Sequence, residues 1–250
     1  MNLQNFRDIH GIAAIVRRHF DYRTPISLNG TKGDIAECNF PLVYSRVQDR
    51  SKLGLNAKGA RAAIEQGQRL VELGVTPTLI VCGDDQRNWD GACLTKEAIL
   101  EKLSTPPEHG LPVFTSPAVT YPHYPFPDWL KIEAKRQGDY MVHAYLAGSG
   151  GFECTPEHRD STGFWSEPPE VFEARVVSAV TAKYPLRTPV LFDLNFEQLT
   201  LLYFLHVKGL KRQQIPFEKG AWVPTKGGGI VYSSDFKVAK EFRPDLTIVE

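Results

Sequence analysis

Three short apolar runs rich in β-branched residues constrain this chain more than any other feature: Gly11-Ile12-Ala13-Ala14-Ile15-Val16, Thr78-Leu79-Ile80-Val81-Cys82 and Pro189-Val190-Leu191-Phe192. Runs of this length, with no polar alternation and bounded by glycine, proline or charged residues, are buried strands rather than helices. Helical patterns lie between and after them. From Asn56, an N-cap by residue type, apolar positions recur at Ala60, Ala63, Ile64, Gly67 and Val71, and Gly74 stops the pattern just before the second run. A second helix is expected from about Gln86 through Ala92, Leu94, Ala98 and Ile99 to Leu103, after the turn Gly83-Asp84-Asp85. A helix that returns directly into a buried strand starts a βαβ layer structure, so the fold class is α/β.

The last third repeats the grammar. Ser166-Glu167-Pro168-Pro169-Glu170 opens a helix by its prolines and early acids, and that helix is expected to bury Val171, Ala174, Val177 and Val180. The third run leads into a helix from Phe196 to Gly209, and Gly227–Tyr232 and Leu246–Val249 read as further strands. Between these regular parts, the proline-rich stretch 104–128 excludes a long helix or a central strand. With a short helix over Trp129–Arg136 and the loop Gly148-Ser149-Gly150-Gly151, residues 104–165 read as a cap laid over one end of the sheet. At 250 residues, a single domain spanning 1–250 is the expectation.

Charge excludes some partners. Twenty-nine basic residues balance 29 acidic ones, so no overall field favours nucleic acid or an anionic membrane, and any anion site must be local. No apolar run reaches membrane-spanning length and the first ten residues lack a signal-like apolar core, which points to a cytoplasmic protein. Cys38, Cys82, Cys93 and Cys154 form no CxxC pair, so they read as reduced, buried thiols rather than zinc ligands.

The chemistry-bearing cluster is Arg17-Arg18-His19-Phe20-Asp21-Tyr22-Arg23-Thr24-Pro25, placed at the carboxyl end of the first buried strand, where open α/β sheets bind ligands. Guanidinium forks match phosphate oxygens, and a neighbouring imidazole can act as nucleophile or acid-base group. A solvated basic turn is the plainer alternative.

Order and spacing carry a resemblance. Arg18-His19 followed by Arg23-Thr24-Pro25 is similar, with one extra residue, to the RHGxRxP motif of the histidine phosphatase superfamily in its acid phosphatase branch. Asn56-Ala57-Lys58-Gly59 is similar to that family's T-x-x-G helix start, and Cys82 to Ala92 follows the spacing of its pattern after the second strand, with Arg87 in the arginine position. The resemblance covers residues 11–103 and 168–210. It implies a three-layer α/β/α sandwich with a cap insertion, no metal or other cofactor, and a small phosphorylated molecule as partner. His19 would be the nucleophile, Arg18, Arg23 and Arg87 the phosphate clamp, and Glu197 the proton donor.

Two departures bear on activity. Phe20 replaces the glycine after the histidine, where a side chain could crowd the phosphate. Asn195 stands where the family has a second histidine; it could donate its amide N–H to a phosphate oxygen, or simply cap the helix that follows. The implied function is therefore a metal-independent phosphomonoesterase, with a degenerate, ligand-binding or repurposed member of the fold as the alternative. Rival motifs are weaker: Cys154 to Arg159 is one residue short for a cysteine phosphatase loop, Ala147-Gly148-Ser149-Gly150 lacks GxSxG spacing, and Gly227–Gly229 is no Walker loop. His143, Glu157, His158 and Asp160 could gather on the cap as acid-base groups, although scattered surface residues explain them as well.

Overall fold

A six-stranded sheet carries the molecule, and its strands were largely announced by the apolar runs. The structure, a computed structural model, describes residues 1–21, 54–83, 85–104, 110–120, 146–147, 167–182, 184, 189–216, 222 and 224–249. The strands are β1 (Ala14–Arg18), β2 (Leu79–Cys82), β3 (Val113–Thr115), β4 (Val190–Leu194), β5 (Gly229–Tyr232) and β6 (Ala239–Phe242). Their order is β3-β2-β4-β1-β5-β6. The first four run parallel, whereas β5 and β6 pair antiparallel with their neighbours. The carboxyl ends of β1, β4 and β2 therefore meet at one edge, which is where the candidate site lies.

Helices cover both faces, as the three-layer expectation requires. Helix α1 (Leu3–His10), α2 (Ala57–Glu72) and α3 (Gln86–Leu103) lie on one face, and their apolar residues Leu3, Phe6, Leu70 and Ile99 share a core with Ile15 and Ile80 of the sheet. Helix α4 (Pro169–Thr181) and α5 (Phe196–Leu202) lie on the other, with Phe172, Val176, Leu199 and Leu202 packed on Ala14, Val16 and Phe192. Alternation along β1 thus sends even positions to one core and odd positions to the other.

Several elements differ from the sequence reading. Helix α4 buries Phe172, Val176 and Val180 and leaves Val171 51% exposed, because the phenylalanine's larger apolar surface, and not the valine count, chooses the inward face. Strand β1 starts at Ala14 and takes in Arg17 and Arg18, so its polar end is strand and not loop. Leu246–Val249 is tied down by single bridges instead of a strand, with Thr247 against Asn2 and Ile248 against Phe242. Two elements had weak signals: α1, opened by an Asn2–Asn5 capping box, and β6. Within the expected cap, β3 joins the sheet. Three residues at an edge, with Pro112 before and Pro117 after, are compatible with the prolines that bar a central strand. Helix α5 continues as a π-helical turn, Tyr203–Val207, and stops at Gly209 with φ +65°. Cys82 is buried, whereas Cys93 is only half-buried, and both are free thiols. Cys38, Cys154, the Trp129–Arg136 helix and the cap cluster of His143, Glu157, His158 and Asp160 lie outside the described residues. No helix among the described residues is long and apolar enough to cross a membrane.

Candidate functional site

Strand alternation separates the two arginines that the sequence places side by side. Arg17 points into the α2/α3 layer and is fully buried. There its Nε and Nη2 donate to Asp193 Oδ2 at 3.2 and 2.7 Å, Nη1 to Gln66 Oε1 at 2.9 Å, and Nη2 also to Thr95 Oγ1 at 2.8 Å. Asp193 is its register partner on β4. Burial pushes the Asp193 carboxyl upward while Arg17 pulls it back. Arg17 is therefore a structural cation, not a ligand for an anion. Arg18 faces the other way, donates from Nη1 to the Pro224 carbonyl at 2.6 Å, and lays its guanidinium over the Phe196 ring at 5.1 Å.

His19 follows directly, 2% exposed, with its backbone N–H donating to the Leu194 carbonyl at 2.9 Å. Its Nδ1 lies 2.8 Å from the Phe20 carbonyl oxygen. A carbonyl can only accept, so the proton must be on Nδ1 and the lone pair on Nε2. Burial lowers this imidazole to about 3, helped by the Arg87 guanidinium and, more weakly, by Arg18 and Lys226, against the opposing Phe20 carbonyl. A neutral imidazole with its proton held on one nitrogen and its lone pair on the other is the nucleophilic state. The charges that depress it come from β1, from the start of α3 and from the turn before β5, so Arg18, His19 and Arg87 do share one neighbourhood.

Two local devices hold this strand end. Asn56 caps α2 by accepting from the Gly59 N–H at 2.9 Å, and the Asn56 N–H donates to the Asp21 carbonyl at 3.2 Å. A side chain at position 59 would collide with that same carbonyl, so the Asn-x-x-Gly spacing is a docking surface for the segment after His19. On the other side, the turn Pro224–Gly228 is fastened to Arg18, whose N–H donates to the Gly228 carbonyl at 2.9 Å and whose carbonyl accepts from the Gly227 N–H at 3.0 Å.

No family model matches the sequence, and no curated protein matches it by sequence. Solved structures do. The chain superposes on a mycobacterial glucosyl-3-phosphoglycerate phosphatase in complex with inorganic phosphate, with a TM-score of 0.53 and 15% identity over 93% of this chain and 98% of that one. It superposes on the α-ribazole phosphatase of Shigella flexneri with a TM-score of 0.51 and 16% identity, over 95% and 99% of the two chains. The chain has the histidine-phosphatase fold. A mycobacterial hydrolase gives a TM-score of 0.50 and 17% identity over 90% of this chain and 94% of its own.

Within the histidine-phosphatase fold, the two departures have distinct outcomes. Phe20 does not enter the site. Its ring is 2% exposed and packs with Leu55, Ala60, Ala63 and Leu94, with the Arg17 guanidinium 4.6 Å from its centre. Gly227, at φ +77°, makes room: a Cβ there would lie 2.9 Å from Phe20 Cε1. The ring that could have crowded the end of β1 is thus turned into a small satellite core.

Asn195 is placed at the N-terminus of α5, but its side chain makes no cap bond. Instead Nδ2 donates to Asp85 Oδ2 at 2.7 Å, the same oxygen that accepts from Arg87 Nη2 at 3.2 Å. Asp85, at the head of α3, therefore orients both. One N–H of the Asn195 amide is therefore committed to Asp85, because flipping the amide would set its carbonyl against a carboxylate. Glu197 is half-buried in the first turn of α5. Arg23 lies outside the described residues.

Sequence reasoning missed Asp85, Gln66 and Lys226. Asp85 had a signal in its N-cap position, whereas Lys226 comes from a turn more than 200 residues away whose sequence marks only a bend. A cavity of about 520 Å³, walled by Ala13, Val180, Tyr184, Phe192 and Phe236, opens at the opposite edge beside the starts of β1 and β4. Among the described residues, no lysine, arginine or histidine lines it.

Proposed function

We propose that the protein is a phosphomonoester hydrolase that works without a metal through a phosphohistidine at His19, acting on a small phosphorylated molecule. The observation that carries this reading is the state of His19: buried, neutral, with Nδ1 committed to the Phe20 carbonyl and three cations, Arg18, Arg87 and Lys226, acting on it. In the proposed reaction Nε2 attacks phosphorus, the bond to the leaving oxygen breaks, and Glu197 or an acid of the cap gives that oxygen a proton. Water then cleaves the phosphorus–nitrogen bond and returns the free imidazole. Arg18 and Arg87, with Arg23, stabilise charge on the equatorial oxygens, a role that pre-placed guanidiniums fill without reorganisation.

Asn195 favours a second reading. It brings no charge to the end of β4 and is turned toward Asp85, as suits a member of the fold that binds a phosphorylated ligand without turning it over. The discriminating experiment is phosphate release from an aryl phosphate, with and without chelator, by the wild type and by His19→Ala. Chelator-resistant release that is lost in the variant is the expected outcome. Release that survives the substitution removes His19 as nucleophile, and phosphate binding without release favours the second reading.

A further inference from the structure

Lys226 has no part in the motifs above, yet the fold delivers it to the site by a fixed route. The turn Pro224–Gly228 is stapled to the end of β1 by Arg18 Nη1 on the Pro224 carbonyl at 2.6 Å and by the paired backbone bonds of Arg18 with Gly227 and Gly228. Gln66 Nε2 holds the Gly227 carbonyl from below at 2.7 Å. Lys226 stands between these fastened residues, so its backbone cannot drift while its four-carbon stem can swing. Its Nζ donates to Asp21 Oδ1 at 2.6 Å, two residues past His19, and its side chain is 38% exposed.

We infer that Lys226 is a substrate-binding cation of this site, resting on Asp21 and passing to the phosphoryl oxygens when a phosphate monoester enters. The inference rests on the phosphohydrolase reading and adds a residue to its binding machinery. Three features carry it. A partly exposed ion pair contributes little to stability, so a phosphate dianion offering several oxygens outcompetes a single carboxylate for the ammonium. Asp21 is not left alone by the exchange, because Lys58 Nζ lies 3.1 Å from its other oxygen. And the charge is needed, since the β4 end supplies only the neutral Asn195. The field of Lys226 already reaches the His19 ring where it rests.

The test sets two substitutions against each other, with inorganic phosphate as probe, read by calorimetry and by competitive inhibition of aryl phosphate release. Lys226→Met should weaken phosphate binding about ten- to a hundredfold, the range expected for one charge-assisted bond, with Lys226→Arg intermediate. Asp21→Asn should tighten it about two- to fivefold, because it exchanges a charged competing acceptor for a weaker neutral one and removes a negative charge near the site. A merely structural pair would weaken binding in both variants. That result, or unchanged affinity in Lys226→Met, overturns the inference while leaving a hydrolase that depends on His19 intact. A wild type that neither binds phosphate nor releases it removes the phosphohydrolase reading and this inference with it.

Discussion

The low affinity of His19 for protons should make the protein less stable in acid by an amount that can be worked out. Folded, the imidazole stays neutral down to about 3; unfolded, it takes up a proton near 6.5. Between those two values the unfolded chain binds one proton more than the folded one, so stability falls as pH falls, by about 1.4 kcal/mol per pH unit. At pH 5 the loss from this group alone is about 2 kcal/mol. The perturbation is His19→Asn, which keeps a donor for the Phe20 carbonyl and removes the titration. Urea unfolding of both proteins at pH 7 and pH 5 isolates the effect, provided the difference between them is read and not either slope alone. Asp90, pushed up to about 6 by burial, and Asp193, also raised, act in the opposite sense: their contribution is fully present below the unfolded carboxylate range and is lost as pH rises through the folded value. These terms are common to both proteins and cancel. The wild type should lose about 2 kcal/mol more than His19→Asn between pH 7 and pH 5, and equal losses would refute a buried, neutral His19.

Two further substitutions probe the support of the site. Arg17→Met strands the Asp193 carboxylate in a fully buried position and should cost about 3–5 kcal/mol in urea unfolding, with Arg17→Met combined with Asp193→Asn costing less than the sum; strict additivity would mean that the pair is not coupled. Phe20→Gly introduces the glycine of the motif that this segment resembles, yet it should destabilise the protein by about 3–5 kcal/mol, because the ring fills the cluster of Leu55, Ala60, Ala63 and Leu94; a neutral effect would show that the ring is not packed there.

What the sequence disclosed depended on how local the cause was. Buried strands and capped helices are written in neighbouring residues, and β1, β2, β4, α2, α3 and the start of α4 follow from them. The meeting of Arg18, His19 and Arg87 was legible because parallel strands align their carboxyl ends once their order is guessed. Three other features were not legible because distant residues decide them. Whether Phe20 turns toward the site or away is settled by a missing Cβ at Gly227, and the direction of the Asn195 amide by a carboxylate on another helix. Lys226 reaches the site through a turn that the sequence marks only as a bend.

The basic cluster also carries less charge into the site than its composition suggests, and the reason is the pleat. Arg17 and Arg18 are adjacent, so one must face each side of the sheet. The inward one is opposed in register by Asp193, and the pair is neutral as a unit. The charges that depress His19 come instead from Arg18 beside it and from Arg87 and Lys226, far along the chain. Arg17 acts instead through geometry: its bonds to Asp193, Gln66 and Thr95 join β1 to β4, α2 and α3. Through Gln66 the same network reaches the Gly227 carbonyl, and so the turn that bears Lys226. The buried side of the strand thus sets the positions of His19 and Lys226, and a substitution at Arg17 should be felt first as their misplacement and not as a lost charge.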